Sequence, residues 1–167
     1  MRRTQYFNMN IQLIKNKANV FRNAIDAAKE DYKFLEHQLM RRFPQGCCGI
    51  VCYLLAKYLF DEDICEKINY VNGTFYYGDG DSQAHTWLQL DDIIIDITGD
   101  QFKHYSFPLK NTNRVYVGKT NEFYELFEVY ITGICEFRKH SYELNNGSYN
   151  KMLNEQQLFE IITEYIY

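Results

Sequence analysis

Long apolar runs are missing from this sequence: no stretch reaches the roughly 20 residues that a membrane-spanning helix requires. The opening segment MRRTQYFNMNIQLIKNKANVF begins with two arginines, but Asn8, Asn10, Gln12 and Lys15 interrupt any apolar core of a secretory signal. Basic charge is also short. Eighteen Lys and Arg against 22 Asp and Glu leave a net charge of −4. No basic run is interleaved with aromatics, so a nucleic-acid-binding surface has no electrostatic footing. An even set of cysteines is lacking too. The five, at 47, 48, 52, 65 and 135, with no export signal, read as reduced thiols in a cytoplasmic protein rather than as a disulfide framework. With 46% hydrophobic and 24% charged residues, the chain does not have the composition of a disordered segment.

What is present fits one domain of 167 residues. The 15 tyrosines, with plentiful Asn, Ile and Lys, read as compositional drift and carry no functional weight. From Val20 to Arg42 the residues Phe21, Ile25, Ala28, Tyr32, Leu35 and Leu39 recur at steps of four and three, the spacing of a helix with one buried stripe, which Pro44 stops. Val51, Leu54, Leu55, Tyr58 and Leu59 repeat that spacing and predict a second helix from Cys47 or Cys48 to about Phe60. Lys67 to Tyr77 alternates as one or two strands do, and Gly78 to Ser82 (GDGDS) is a loop by composition. Ala84 to Leu90 and Ile93 to Thr98, separated by Asp91 and Asp92, form a hairpin candidate. A short strand at Arg114 to Lys119 and helical patterns at Asn121 to Ile131 and Asn154 to Ile166 follow, the last with Leu158, Ile161, Ile162, Tyr165 and Ile166 on one face.

Cys48 follows a Pro-Gln-Gly turn and opens a helix, so its sulfur faces unpaired amides and the positive end of the helix dipole. That position favours thiolate, and the same amides can hold an oxyanion when the thiolate attacks an acyl carbon. The plain alternative is a cysteine that is a small buried hydrophobe. The hairpin weighs against it. A two-residue turn at Asp91-Asp92 sets Trp87 opposite Asp96 and His85 opposite Thr98, which makes His85 and Asp96 diagonal neighbours on one face. Asp96 also stands among Ile93, Ile94, Ile95 and Ile97, where a carboxylate is costly unless it has a partner. An Asp so placed fixes the tautomer of a histidine and supports its charged form.

Other candidates are weaker. Cys47 lies about 100 degrees around the helix from Cys48, whereas Cys48 shares a side with Val51, Cys52 and Leu55. Cys52, Cys65 and Cys135 read as packed small residues, and His37, His104 and His140 as surface histidines. No CxxC pair or two-histidine helix spacing supports zinc. GDGDS lacks the lysine of a phosphate loop, and Asp79-Gly80-Asp81 lacks the later ligands of a calcium loop. No cofactor is expected.

Taken together, FPQGCCGIVCYLLAKYL and AHTWLQLDDIIIDITGDQF resemble the paired signature of transglutaminase-like, papain-fold cysteine proteins, especially small bacterial ones. The likeness runs through Phe43, Pro44, Gly46, Cys48, His85, Trp87, Asp96, Thr98, Asp100, Gln101 and Phe102. It implies an α+β, papain-like/transglutaminase-like fold, a nucleophile helix packed on an antiparallel sheet, with His and Asp on adjacent strands. Two features depart from the family: the short His85 to Asp96 interval, and Cys52 in place of a small hydroxyl residue.

The expected function is thiol-dependent acyl transfer, with Cys48 as nucleophile, His85 as base and then acid, and Asp96 orienting His85. Trp87 is expected to wall the site, and Gln45 or Gln101 to add an oxyanion or substrate-binding donor. Gly78 to Ser82 is expected to gate access. The substrate would be a protein, peptide or small amide, which leaves peptidase, amidase, glutamine deamidase and transferase open. The rival class is a papain-like fold without turnover that acts as a protein-binding module.

Overall fold

The computed structural model describes residues 2–136 and 155–167, with side chains described from residue 10 onward except at 132 and 134–136. Helix α1 spans Arg2–Ala28. Ile14, Ala18, Phe21, Ile25 and Ala28 form its buried stripe, at the four-and-three spacing a helix face requires. The stripe does not continue to Arg42 as the periodicity predicts. Asp31 accepts a hydrogen bond from the Lys33 backbone N–H at 2.8 Å and caps a separate short helix, α2, Tyr32–Glu36. A side-chain acceptor of this kind competes with continuation of the preceding helix. Tyr32, Leu35 and Leu39, apolar and in phase, are therefore exposed, while Phe34 and Met40 turn inward. A 3-10 turn at Met40–Arg42 follows. Gly46 then adopts φ +70°, a left-handed conformation suited to glycine, and delivers the chain into helix α3.

Helix α3 runs Cys48–Asp61 and buries Val51, Cys52, Leu54, Leu55, Ala56, Tyr58 and Leu59. Burial on nearly every side marks a central helix. It packs against two strands of the sheet and against α1 and the C-terminal helix. That last helix, α4, Glu155–Thr163, buries Leu158, Phe159, Ile161 and Ile162. It ends before Tyr165, which is exposed rather than part of the predicted face.

The sheet has five antiparallel strands: β1 Lys67–Tyr76, β2 Ser82–Leu90, β3 Ile93–Asp96, β4 Tyr116–Gly118 and β5 Glu128–Glu136, in the order β4-β3-β2-β1-β5. The architecture is α+β. The expected hairpin has the predicted register, with Leu90 opposite Ile93, Gln89 opposite Ile94 and Leu88 opposite Ile95. Asp91 takes the positive φ of its turn, +53°. Gly78 to Asp81 form a hydrogen-bonded turn between β1 and β2. Tyr77 N–H donates to the Asp81 carbonyl at 2.8 Å, and Asp81 N–H to Oδ1 of Asp79 at 3.2 Å.

β5 corrects the sequence reading, which placed a helix over Asn121 to Ile131. Only one 3-10 turn forms there, Tyr124–Leu126, with the Asn121 side chain accepting from the Phe123 N–H at 3.0 Å. Val129 and Ile131 then favour a strand, because β-branched side chains fit a pleated surface better than a helix.

The two faces of the sheet differ. Ile68, Leu88, Ile93 and Ile95 join the helices in one core. Val71, Trp87 and Ile94 meet Phe102, Leu109, Tyr124 and Phe127 in a second, aromatic cluster. Gly73 on β1 is in closest contact with that cluster: a Cβ there would lie 2.7 Å from Phe127 and from the Trp87 ring. Arg22 of α1, 2% exposed, ties the layers together. Its guanidinium donates to Oδ1 and Oδ2 of Asp100 at 2.9 and 2.8 Å, to the Ile97 carbonyl at 2.6 Å and to the Arg114 carbonyl at 3.1 Å. It also lies 4.6 Å from the centre of the Phe43 ring. Arg22 thus fixes both segments that flank the candidate site, the turn before Cys48 and the chain after Asp96.

Candidate active site

Asp96 closes β3 on the aromatic face and is 1% exposed. Four donors surround it. Oδ2 lies 2.7 Å from Nε2 of His85 and accepts from the Tyr124 hydroxyl at 2.9 Å, while Oδ1 accepts from Thr98 N–H at 2.8 Å and its hydroxyl at 3.2 Å. Burial alone raises this carboxyl, but the charge and hydrogen bond of His85, with the donors from Thr98 and Tyr124, hold it below the usual carboxylate range. Asp96 is therefore a carboxylate fully satisfied inside the core. Its effect on Tyr124 has the opposite sign. Burial and the adjacent anion push that phenol well above its ordinary value, so it remains a donor.

His85 lies in the middle of this network and has no exposed surface. Its ring is enclosed by Phe102, Trp87, Phe127 and Phe123, with centroids at 5.1, 5.7, 6.1 and 6.2 Å. Burial lowers its basicity, yet the charge and hydrogen bond of Asp96, with a contribution from Cys48, lift it to about 9. With Nε2 held by Asp96, the nitrogen left for other partners is Nδ1.

Cys48 is the first residue of α3 and is only partly exposed. Burial pushes its thiol up, but a hydrogen bond to His85 and the charge on that ring pull it below the ordinary thiol value, with help from Thr86. Thr86 was not foreseen. Its backbone and side chain both lower the thiol, and its hydroxyl donates to Oδ1 of Asn72 at 2.7 Å. The same residue's carbonyl accepts the Cys52 thiol at 3.4 Å. Cys47 is a different kind of thiol: 1% exposed, it donates to the Pro44 carbonyl at 3.2 Å, and burial next to Cys48 pushes it up to about 12.

No protein-family model, curated protein or solved structure matches the chain. The functional reading therefore rests on the geometry of the residues themselves.

Trp87 is 1% exposed and packs behind the imidazole, its Nε1 without a hydrogen-bond partner among the described residues. Gln45 is half-buried in the turn before α3, where its N–H donates to the Arg42 carbonyl at 2.7 Å. Gln101 faces the base: its amide nitrogen lies 2.7 Å from Nδ1 of His85. Of the histidines expected on the surface, His104 is exposed, but His37 is 7% exposed because it sits in the tight turn between α2 and the 3-10 segment. The side chain of Cys135 and the whole of His140 lie outside the described residues. Among the described residues, no group of three or more His, Cys, Asp or Glu is placed to hold a metal ion, and no helix is long and apolar enough to cross a membrane.

Tyr124 was missed because it lies 28 residues from Asp96, beyond any periodicity that links two side chains. Thr98 was within reach, since a hydroxyl residue two positions after an Asp forms a local side-chain turn.

Proposed function

We propose that the protein is a thiol-dependent acyl-transfer enzyme with a papain-like or transglutaminase-like arrangement, in which Cys48 is the nucleophile, His85 the acid and base, and Asp96 the group that orients and charges His85. The observation that carries this reading is a buried imidazole held between a buried carboxylate at 2.7 Å and a cysteine at the start of a helix. A carboxylate–imidazole pair beside a cysteine at a helix start is the kind of environment in which a thiol is drawn toward thiolate.

In the proposed reaction the Cys48 thiolate attacks an amide carbonyl carbon, forming a C–S bond and an oxyanion. The first amides of α3 have no acceptor within the helix and can donate to that oxygen. The imidazolium gives its Nδ1 proton to the leaving nitrogen as the C–N bond breaks, which leaves a thioester and a neutral imidazole. Water or an amine then attacks the thioester. His85 takes the proton of the acceptor, and the C–S bond breaks to regenerate thiolate and imidazolium. The aromatic enclosure of His85 keeps bulk water from the ring and strengthens its pairing with Asp96.

The test uses a substrate that makes no demand on specificity. With p-nitrophenyl acetate, native protein is expected to release a burst of one nitrophenolate per chain and to carry an acetyl thioester on Cys48 by peptide mapping. Hydroxylamine should convert that thioester to acetohydroxamate. Acylation of Cys48 that is absent, or equally fast in His85→Ala, contradicts the proposal and moves a binding role on the same fold to first place.

A further inference from the structure

His85 has two ring nitrogens and three polar neighbours. Nε2 belongs to Asp96 at 2.7 Å. Nδ1 is the nitrogen left to Cys48, and Nδ1 also lies 2.7 Å from the amide nitrogen of Gln101. A single ring nitrogen offers one lone pair or one proton, so the thiol and the amide compete for it. The competitor is firmly held. Gln101 is 7% exposed, its backbone N–H donates to the Thr98 carbonyl at 3.0 Å, and the preceding residue, Asp100, is fixed by Arg22 from the far layer. The Phe102 ring, one residue on, packs edge-on against the imidazole. A side chain anchored on both sides and aimed at the working nitrogen of His85 does more than fill space.

We propose that Gln101 is a positioning residue of the triad: its side-chain amide donates a hydrogen bond to Nδ1 of His85 and holds the imidazole neutral and in line with Asp96 whenever Cys48 does not engage that nitrogen. The inference rests on the acyl-transfer reading above and adds a part to it. Two opposed influences then act on His85. The Asp96 carboxylate favours imidazolium, whereas an N–H donor at Nδ1 favours the neutral ring, because a protonated Nδ1 has no lone pair to accept with. In the resting pair this restrains proton transfer from the Cys48 thiol. At the thioester stage it serves turnover. The leaving group has then taken the Nδ1 proton, the sulfur is acylated and no longer partners the ring, and the Gln101 amide keeps the lone pair aimed at the site until water or an amine displaces it and delivers its proton. Gln101, one of two glutamines expected as an oxyanion or substrate-binding donor, has its amide nitrogen 2.7 Å from the base.

Gln101→Leu removes the donor and keeps an apolar side chain of similar bulk; Gln101→Met, which keeps the chain length, is the companion variant should the first fail to fold. The first readout is the pH dependence of iodoacetamide labelling of Cys48. Loss of one hydrogen bond to the neutral ring should move the midpoint to lower pH and raise the rate at pH 6 by about three- to tenfold. The second readout is the ¹⁵N-imidazole titration of His85 in a Cys48→Ala background, where Gln101→Leu should move the His85 midpoint upward. A purely structural glutamine would shift neither. A Cys48 midpoint that stays in place or rises, or a His85 titration that stays in place or falls, overturns the inference. The two levels separate cleanly. If labelling depends on His85 but not on Gln101, only the positioning role fails. If labelling is also indifferent to His85→Ala, the triad reading fails, and the titration in the Cys48→Ala background still decides whether Gln101 holds the ring.

Discussion

Asp96→Asn is expected to lower acyl-transfer turnover by on the order of 10³- to 10⁴-fold while the chain remains folded. The geometry fixes which end of the new amide faces which partner. Thr98 presents N–H and O–H donors to Oδ1, so the amide oxygen settles there and the NH₂ group turns toward His85 and Tyr124. An N–H facing Nε2 requires that nitrogen to accept, which drives the proton onto Nδ1 against the Gln101 amide there. The ring then cannot take a proton from a thiol or an acceptor. The loss of charge adds to this, because Asp96 is the largest of the influences that lift His85 to about 9. Turnover within about tenfold of the native protein would contradict the role given to Asp96.

The same substitution should change how stability depends on pH. His85 is raised in the folded state, so its contribution is fully present below its unfolded value of about 6.5 and is lost as pH rises through about 9. Asp96 is lowered, so its contribution is present above the unfolded value of about 3.9 and is lost as pH falls. The pair therefore stabilises the fold most between those two unfolded values, and Asp96→Asn should flatten the profile on both flanks.

Arg22→Met is expected to destabilise the fold by about 3–5 kcal/mol, read as a shift of the urea midpoint at constant slope. The size follows from what is left behind. Asp100, with 12% of its side chain exposed, loses its bidentate partner, and the carbonyls of Ile97 and Arg114 lose a donor. Removing one partner of a buried pair costs far more than the pair itself contributes. Arg22→Met combined with Asp100→Leu should therefore recover much of the loss. A single-variant effect below about 1 kcal/mol would mean that Arg22 is not a structural tie between α1 and the site.

The residues that proved legible in the sequence are those whose partners are local. Helix α3 could be read because Val51, Leu54, Leu55, Tyr58 and Leu59 all serve one core, and the β2–β3 hairpin because a two-residue turn fixes register once its strands alternate. The proximity of His85 to Asp96 follows from that register, and their direct hydrogen bond is shorter than the diagonal spacing implies. Illegible were the points where a local competitor or a distant partner decides. Asp31 caps a separate helix, α2, after α1 has ended, although the apolar phase continues into residues that are exposed. β5 overrides a helical spacing through its β-branched residues, and the strand it pairs with, β1, lies some 60 residues earlier in the chain. Tyr124, Thr86 and Arg22 reach the site only through tertiary packing. Gln101 was legible as a residue near the chemistry but not as a partner of His85, since the 3-10 turn at Gly99–Phe102 that aims it inward has no periodic signal.

The central claim is that Cys48 and His85 form one activated pair, and the pH dependence of iodoacetamide labelling with peptide mapping tests it most directly. In native protein, labelling near neutral pH should fall on Cys48, with a midpoint below the ordinary thiol range, while Cys47 stays unlabelled because burial pushes it to about 12. In His85→Ala the two largest lowering influences disappear while burial and the weaker help of Thr86 remain, so the Cys48 midpoint should rise. A native midpoint at or above that of a free thiol, unchanged by His85→Ala, would contradict the account.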